Sequence, residues 1–317
     1  MLHGARGLVV PATLEMEAQW VAAPNLMSVP VSEGRVNALC GFQGVLASKD
    51  AGERVDYSGR MKIAIVTGAA QGIGRRTAEV LAGAGYGLML MDMQPCTATA
   101  AAVRKAGVEV AEVLGDISDE AVVGQAVKVV RELWGRVDVL VNNAGISFIA
   151  PAEAVEVARF RRVLEVNLLA PFLLAKAFGA MMLEQRSGSI VNVASIAGLV
   201  GVADRSAYNA STLGLVGLTR TLAAEWGGRG VRVNAVCPGW VKTEMDIADQ
   251  ATHGTYNDAD IEGVNPMGRF ATPDDIAQAI LFLAEPERSG FVNGHTLVVD
   301  GGWISDGSWQ SLRMKKR

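Results

Sequence analysis

Seven short apolar runs, rich in β-branched residues, recur along the chain: Lys62–Thr67, Gly87–Asp92, Val108–Leu114, Val137–Asn142, Ser189–Ala194, Val231–Cys237 and His295–Asp300. They are apolar at successive rather than alternate positions, the pattern of strands covered on both faces. Segments of helical character separate them, at about 72–84, 96–106, 119–134, 152–186, 206–228 and 273–285. Strand and helix alternating in this way predict an α/β fold. Right-handed crossovers then give one domain with a doubly wound, seven-stranded parallel sheet and helices on both faces. Residues 244–267 break the alternation after the sixth strand. They are polar and lack a clear period, so a mobile lid over a site is expected there.

Residues 1–60 show neither period. Six acids against five Lys or Arg argue against a transit peptide, and Pro11, Glu15 and Glu17 spoil a secretory core. The favoured reading is a poorly ordered extension, or an upstream start with Met61 as the real beginning; an oligomer-swapping or regulatory arm is the alternative. The domain is expected over 61–305, with 306–317 a solvated, basic tail.

Composition narrows the function. Of 317 residues, 50% are hydrophobic and 20% charged, which excludes a disordered or low-complexity chain. A net charge of −4 gives no basic surface for nucleic acid. No run of 18 uninterrupted apolar residues occurs, so no membrane span is expected. Cys40, Cys96 and Cys237, and His3, His253 and His295, are too scattered for a zinc site or a disulfide framework. Free cysteines fit a reducing compartment, and the expected location is cytoplasmic.

The first strand opens into Thr67-Gly68-Ala69-Ala70-Gln71-Gly72-Ile73-Gly74. Glycines there permit a tight strand exit, close approach of a pyrophosphate and close helix packing. The new helix N-terminus aims its free N–H groups at the phosphates. A strand before and a helix after are the context that makes such a turn a dinucleotide (Rossmann) site. A methyltransferase with a glycine-rich first turn is the competing reading. Asp92 ends the second strand, where a carboxylate accepts from both ribose hydroxyls and repels a 2′-phosphate; NAD is therefore favoured over NADP. Arg75 and Arg76 are alternative phosphate ligands or solvent-facing residues, and Asp92 could instead be a simple cap.

From Met61 to about Trp303 the chain resembles the short-chain dehydrogenase/reductase family. Thr67–Gly74 resembles its TGxxxGIG turn, Asp116-Ile117 its adenine-contacting pair, and Asn142-Asn143-Ala144-Gly145 its NNAG motif. Asn167 matches the asparagine of the catalytic shell. Ser195, and Tyr208 thirteen residues on, match the serine and tyrosine, and Pro238-Gly239 with Thr243 matches the turn that touches nicotinamide. The resemblance implies a cofactor site of Gly68, Gln71, Gly72, Ile73, Gly74, Asp92, Met93, Asp116, Ile117, Asn143, Ala144, Gly145, Tyr208, Pro238, Gly239, Val241 and Thr243. It implies catalysis by Tyr208 as acid/base, Ser195 on the substrate oxygen and Asn167 holding a water. Capping for Ser195, backbone bonding for Asn167 and core packing for Tyr208 are the structural alternatives.

One position departs from that pattern. The family has Tyr-x-x-x-Lys; here the run is Tyr208-Asn209-Ala210-Ser211-Thr212. The family's lysine grips the nicotinamide ribose and lowers the tyrosine pKa; threonine carries no charge. Loss of a nearby cation raises an acid's pKa by about 1–3 units. An oxidoreductase of reduced rate is expected, with an NAD-binding sensor or scaffold as the alternative. Lys176 and Lys242 would have to reach across the cleft to substitute.

The expected substrate is a secondary alcohol or ketone, such as a sugar, a 3-oxoacyl thioester or a hydroxysteroid-like ring. Its walls would be Ile146, Ser147, Phe148, Ile196, Ala197, Trp240 and the 244–267 lid. Within the family the resemblance is strongest to 3-oxoacyl-carrier-protein reductases and sugar dehydrogenases. Those relatives imply a homotetramer or homodimer built on segments 152–186 and 206–228. Leu213, Leu215, Val216 and Leu218 either serve such a face or are buried against the sheet.

Overall fold

The computed structural model describes residues 60–253 and 256–308, which fall within one compact unit. Readings placed on 1–59 and 309–317 lie outside the described residues. Seven parallel strands stand in the order β3-β2-β1-β4-β5-β6-β7: β1 Ile63–Thr67, β2 Gly87–Asp92, β3 Val110–Leu114, β4 Val139–Asn142, β5 Gly188–Val193, β6 Val231–Pro238 and β7 Thr296–Val299. The order reverses between β1 and β4, the switch point outside which such sheets bind ligands. All seven expected strands are present within two residues of their predicted ends.

Successive residues point to opposite faces, so each central strand feeds two cores. Ala64, Val66, Leu88 and Leu90 pack beneath α1 (Gly72–Gly83), α2 (Thr97–Lys105) and α9 (Pro273–Ala284). Ile65, Met89, Met91 and Leu140 pack against α3 (Glu120–Leu133), α5 (Ala170–Gln185) and α6 (Ser206–Trp226). β1 is buried throughout, whereas the edge strands β3 and β7 are only partly covered.

Two helical expectations are corrected. Segment 152–186 is not one helix. A short 3₁₀ turn at Ala152–Ala154 precedes α4 (Val157–Leu164), and a π turn at Glu165–Leu169 leads into α5. Val155 and Glu156 are extended, and Pro171 cannot donate an i→i−4 bond, so a regular α ladder is interrupted at both places. Segment 244–267 is not irregular: it holds α7 (Glu244–His253) and α8 (Asp258–Val264). The α8 start has a capping box, with Asn257 and Asp260 each accepting the other's backbone N–H. The run Val157–Gln185 is long and apolar enough to cross a bilayer, but 56% of its most apolar window is buried, as in a core helix.

Candidate active site

The strand ends β1, β2, β4, β5 and β6 open onto one cleft of about 680 Å³. Of the predicted residues, the cleft gathers Gly68, Gln71, Gly72, Ile73, Asp92, Met93, Asp116, Ile117, Asn143, Ala144 and Gly145 along one part of its wall. Asn167, Ser195, Tyr208, Thr212, Pro238, Gly239, Val241 and Thr243 complete the lining. Gly74 alone of the predicted set lies behind the wall. A methyl there would stand 2.0 Å from the Gly68 carbonyl oxygen, so this glycine sets how closely α1 packs on the strand exit.

This turn suits a pyrophosphate. Gly68 and Gly72 have φ of +65° and +55°, which L side chains rarely adopt. The α1 N-cap, Gln71, makes no side-chain cap, and the first turn carries no acid, so α1 itself supplies its first N–H groups with no side-chain acceptor. Glu244 approaches from α7: a methyl at Gly72 would lie 3.3 Å from its Oε2. The Asn143 side chain closes the cradle floor by donating to the Thr67 and Gly68 carbonyls at 2.9 and 3.2 Å. The Thr67 hydroxyl accepts from Asn143 and Ala144 N–H, both at 3.0 Å, tying β1 to the β4 turn.

Asp92 is fixed by its own loop. Its Oδ2 accepts from Ala70 N–H at 3.0 Å and its Oδ1 from Gln94 N–H at 2.9 Å. Each oxygen retains a second lone pair for a ribose hydroxyl. Arg75 pairs with Glu79, and Arg76 with Glu79 and Asp274, so neither lies in the cleft lining. Asp116 lines the cleft, but its carboxylate is paired with Arg162 of α4 and accepts from the Ser118 hydroxyl. Burial pushes its pKa up; the bonds from Ser118 and Arg162 outweigh this and hold it below the usual carboxylate range. The Asp116–Arg162 pair was not anticipated.

The part of the cleft that holds Ser195, Tyr208 and Asn167 is built from three turns. Ser195 follows β5 and caps the 3₁₀ turn Ile196–Gly198, its Oγ accepting from Ala197 N–H at 3.1 Å. Tyr208 lies in the first turn of α6 and is partly exposed to the cleft. Asn167, 5% exposed, sits in the π turn. Its amide donates to the Ile146 carbonyl at 2.9 Å and to Ser211 Oγ at 3.1 Å, and its oxygen accepts from Ile146 N–H at 2.9 Å. Both amide hydrogens are thus committed, so the side chain itself cannot donate to the water expected of it. It instead positions the chain just after the Asn143–Gly145 turn.

Thr212 is 3% exposed and lines the cleft. Its hydroxyl donates back into α6, to the carbonyls of Tyr208 at 2.9 Å and Asn209 at 3.2 Å. Neither expected lysine replaces the missing charge. Lys176 is exposed on α5 outside the cleft lining. Lys242 pairs with Asp246 and Asp258, which together raise its pKa.

Among the expected walls, Ile146, Ser147, Ile196, Ala197 and Trp240 line the cleft, as do Glu244, Met245, Asp246 and Tyr256 of the 244–267 segment. Phe148 does not: it is 7% exposed, packed with Val163 and Ala207, and covered by Arg159 at 4.4 Å. Residues that no motif announced complete the wall, chiefly Arg205 and Trp303. Tyr256 meets Trp240 edge-to-face at 5.1 Å and donates to Asp246 Oδ1 at 3.0 Å. Groups of three or more metal-ligating side chains are absent among the described residues.

Comparison with known proteins gives the family. The family model for enoyl-(acyl carrier protein) reductase matches residues 68–304. The chain belongs to the short-chain dehydrogenase/reductase family of oxidoreductases. It is 42% identical over 253 residues to a D-threitol dehydrogenase of Mycolicibacterium smegmatis, covering 78% of this chain and 96% of that one. An inactive 2-(S)-hydroxypropyl-CoM dehydrogenase 2 of Xanthobacter autotrophicus is 42% identical over 191 residues, covering 59% of this chain and 82% of its own. A solved structure from Beutenbergia cavernae, described as an NAD(P)-dependent gluconate 5-dehydrogenase with NADP at low occupancy, superposes with a TM-score of 0.73 at 40% identity. The match covers 78% of this chain and 98% of that one.

Proposed function

We propose that this oxidoreductase moves a hydride between a nicotinamide dinucleotide, NAD(H) in preference to NADP(H), and a secondary alcohol or ketone. The observation that carries the reading is the convergence of Tyr208, Ser195 and the glycine cradle on one cleft. When bound, the dinucleotide supplies or accepts the hydride at its nicotinamide ring. Gly68, Gly72 and the α1 N-terminus hold the pyrophosphate, and Asp92 holds the adenosine ribose. The Tyr208 hydroxyl exchanges the proton of the substrate oxygen, and Ser195 donates a hydrogen bond to that oxygen as charge builds. Asn167 acts through Ile146, fixing the chain that follows the Asn143–Gly145 turn.

Asp92 supports the preference for NAD(H), because a carboxylate there opposes a 2′-phosphate. Fluorescence titration with NADH and NADPH tests this: NADH is expected to bind at least tenfold tighter, and Asp92→Ser to erase most of the difference. Equal binding of both dinucleotides by the unaltered protein overturns the preference. A panel of secondary alcohols and ketones followed by nicotinamide absorbance tests the reaction itself.

A second reading is a dinucleotide-binding protein of weak turnover. Thr212 favours it, since its hydroxyl is spent inside α6 and its side chain carries no charge. One of the related proteins is itself named as inactive. Our reading also makes the chain a cytoplasmic homo-oligomer, dimer or tetramer, that engages neither nucleic acid nor membrane. Exposed Leu169, Phe172 and Leu213 on or beside α5 and α6 support an assembly face, whereas Leu215 and Val216 are spent in the core.

A further inference from the structure

Gly72, Thr243 and Glu244 line two cavities at once. On one side of them lies the cleft. On the other lies a second cavity of about 450 Å³ between α1, α7 and the start of α9. Glu244, the first residue of α7, is exposed and forms part of this partition. Its Oε2 lies 3.3 Å from the place a methyl on Gly72 would take, and Gly72 opens α1. A carboxylate therefore stands beside the helix N-terminus that the cofactor reading gives to a pyrophosphate. The cations around the second cavity are committed to other acids: Lys242 to Asp246 and Asp258, Arg75 to Glu79, and Arg76 to Glu79 and Asp274. Among the described residues no ion pair neutralises Glu244.

From this placement we infer that Glu244 grades the ligands of the cleft by their phosphate charge, loosening the dinucleotide at its pyrophosphate and leaving the uncharged adenosine half untouched. The inference deepens the hydride-transfer reading, which puts the pyrophosphate at Gly72, and rests on it. A helix N-terminus favours an anion, and the positive φ of Gly68 and Gly72 lets that anion approach the backbone closely. A side-chain carboxylate at the same end repels the phosphates that come there. Its position in the partition gives it room to withdraw: rotation about its own side-chain bonds carries the carboxylate from the cleft toward the second cavity. Because the site is exposed, the repulsion is worth about two- to tenfold in affinity.

The test reads binding, so that a slow enzyme does not mask it. ADP, NADH and adenosine are titrated calorimetrically into the full-length protein and into Glu244→Gln, at about 50 mM and about 500 mM salt. Glu244→Gln should bind ADP and NADH about two- to tenfold tighter at the lower salt. Adenosine, which carries no phosphate, should bind both proteins alike, and that equality also shows the variant to be folded. The gain should shrink at the higher salt, because charge at an exposed site is screened. Glu244→Ala should behave as Glu244→Gln does, since both remove the charge. A gain for ADP below about twofold, one that adenosine shares, or one that salt leaves intact overturns the role of Glu244. ADP and NADH bound equally well by both proteins removes that role alone. Failure of either protein to bind ADP or NADH overturns the cofactor reading, and the role of Glu244 with it.

Discussion

Restoring a cation at position 212 is the sharpest perturbation the site offers. In Thr212→Lys the four-carbon stem has the cleft, which residue 212 already lines, to extend into. Positions 208 and 212 are one helical turn apart, which puts an ammonium about 6 Å from the phenol. At an effective dielectric of about 20, that pair is worth about 2.8 kcal/mol, or about two pKa units. A phenol of ordinary acidity, near 10, is about 1% ionised at pH 8; one lowered by two units is about half ionised. Alcohol oxidation needs the ionised base, so kcat/KM at pH 8 should rise about 50-fold. The lower limb of its pH profile should move down by about two units. The gain should shrink toward pH 10, where both phenols are ionised. Losing the single, bifurcated bond that the Thr212 hydroxyl donates is offset by the better helix propensity of lysine, about 0.5 kcal/mol, so Tm should stay within a few degrees. Initial rates from pH 6 to 10 on one substrate suffice. A rise that is uniform across pH, or no rise in a folded variant, refutes the electrostatic argument.

Three other outcomes follow from single contacts. Gly74→Ala puts a methyl 2.0 Å from the Gly68 carbonyl, so NADH affinity should fall by more than tenfold with the far-ultraviolet circular dichroism unchanged; an unaltered Kd would show that the cradle is not the phosphate site. Asn167→Ala leaves the Ile146 N–H and carbonyl without their partners, which should cost about 1–3 kcal/mol and lower Tm by several degrees, read by calorimetry. The Arg269 guanidinium beside Asp275, with the Thr272 backbone N–H, holds that carboxyl well below the usual carboxylate range. A depressed folded-state pKa gives stability above about pH 4 that fades as pH falls below it. Asp275→Asn should therefore lower Tm at pH 7 by a few degrees, and the gap to the unaltered protein should narrow below pH 4.

The central strands were legible because a strand buried on both faces must be apolar at every position, and Ile63–Val66 or Leu88–Met91 meet that demand in sequence. Helix interiors were legible for the same reason. Their interruptions were not: the break at Val155-Glu156 costs no apolar residue, so the pattern runs through it. The 244–267 helices were missed because they are mostly polar, although Asn257-x-x-Asp260 is a capping-box signature that local reading could have used. Phe148 was assigned to the wall by its place after Asn143–Gly145, yet its neighbours Val163 and Ala207 come from α4 and α6. Contacts set by distant segments carry no spacing that a single chain displays.

Residues of the site divide along the same line. Gly68, Asp92 and Ser195 act from strand ends, and a strand end has a fixed place in a parallel sheet, so order along the chain becomes order around the cleft. Arg205 stands just before α6 and Arg162 in the last turn of α4, and the hydroxyls they meet lie 58 and 44 residues away along the chain. Asn167 shows both behaviours: its membership of the site was readable, but not that its amide would be consumed by Ile146 and Ser211. Thr212 is the instructive case. Its identity announces a missing charge, while the direction of its hydroxyl follows from a local rule, the return bond of threonine to the i−4 carbonyl. Within α6 that bond is satisfied before any ligand arrives. The residue therefore offers the cleft little beyond a methyl group, and on the proposed mechanism the Tyr208 phenol has to ionise with threonine rather than lysine at position 212.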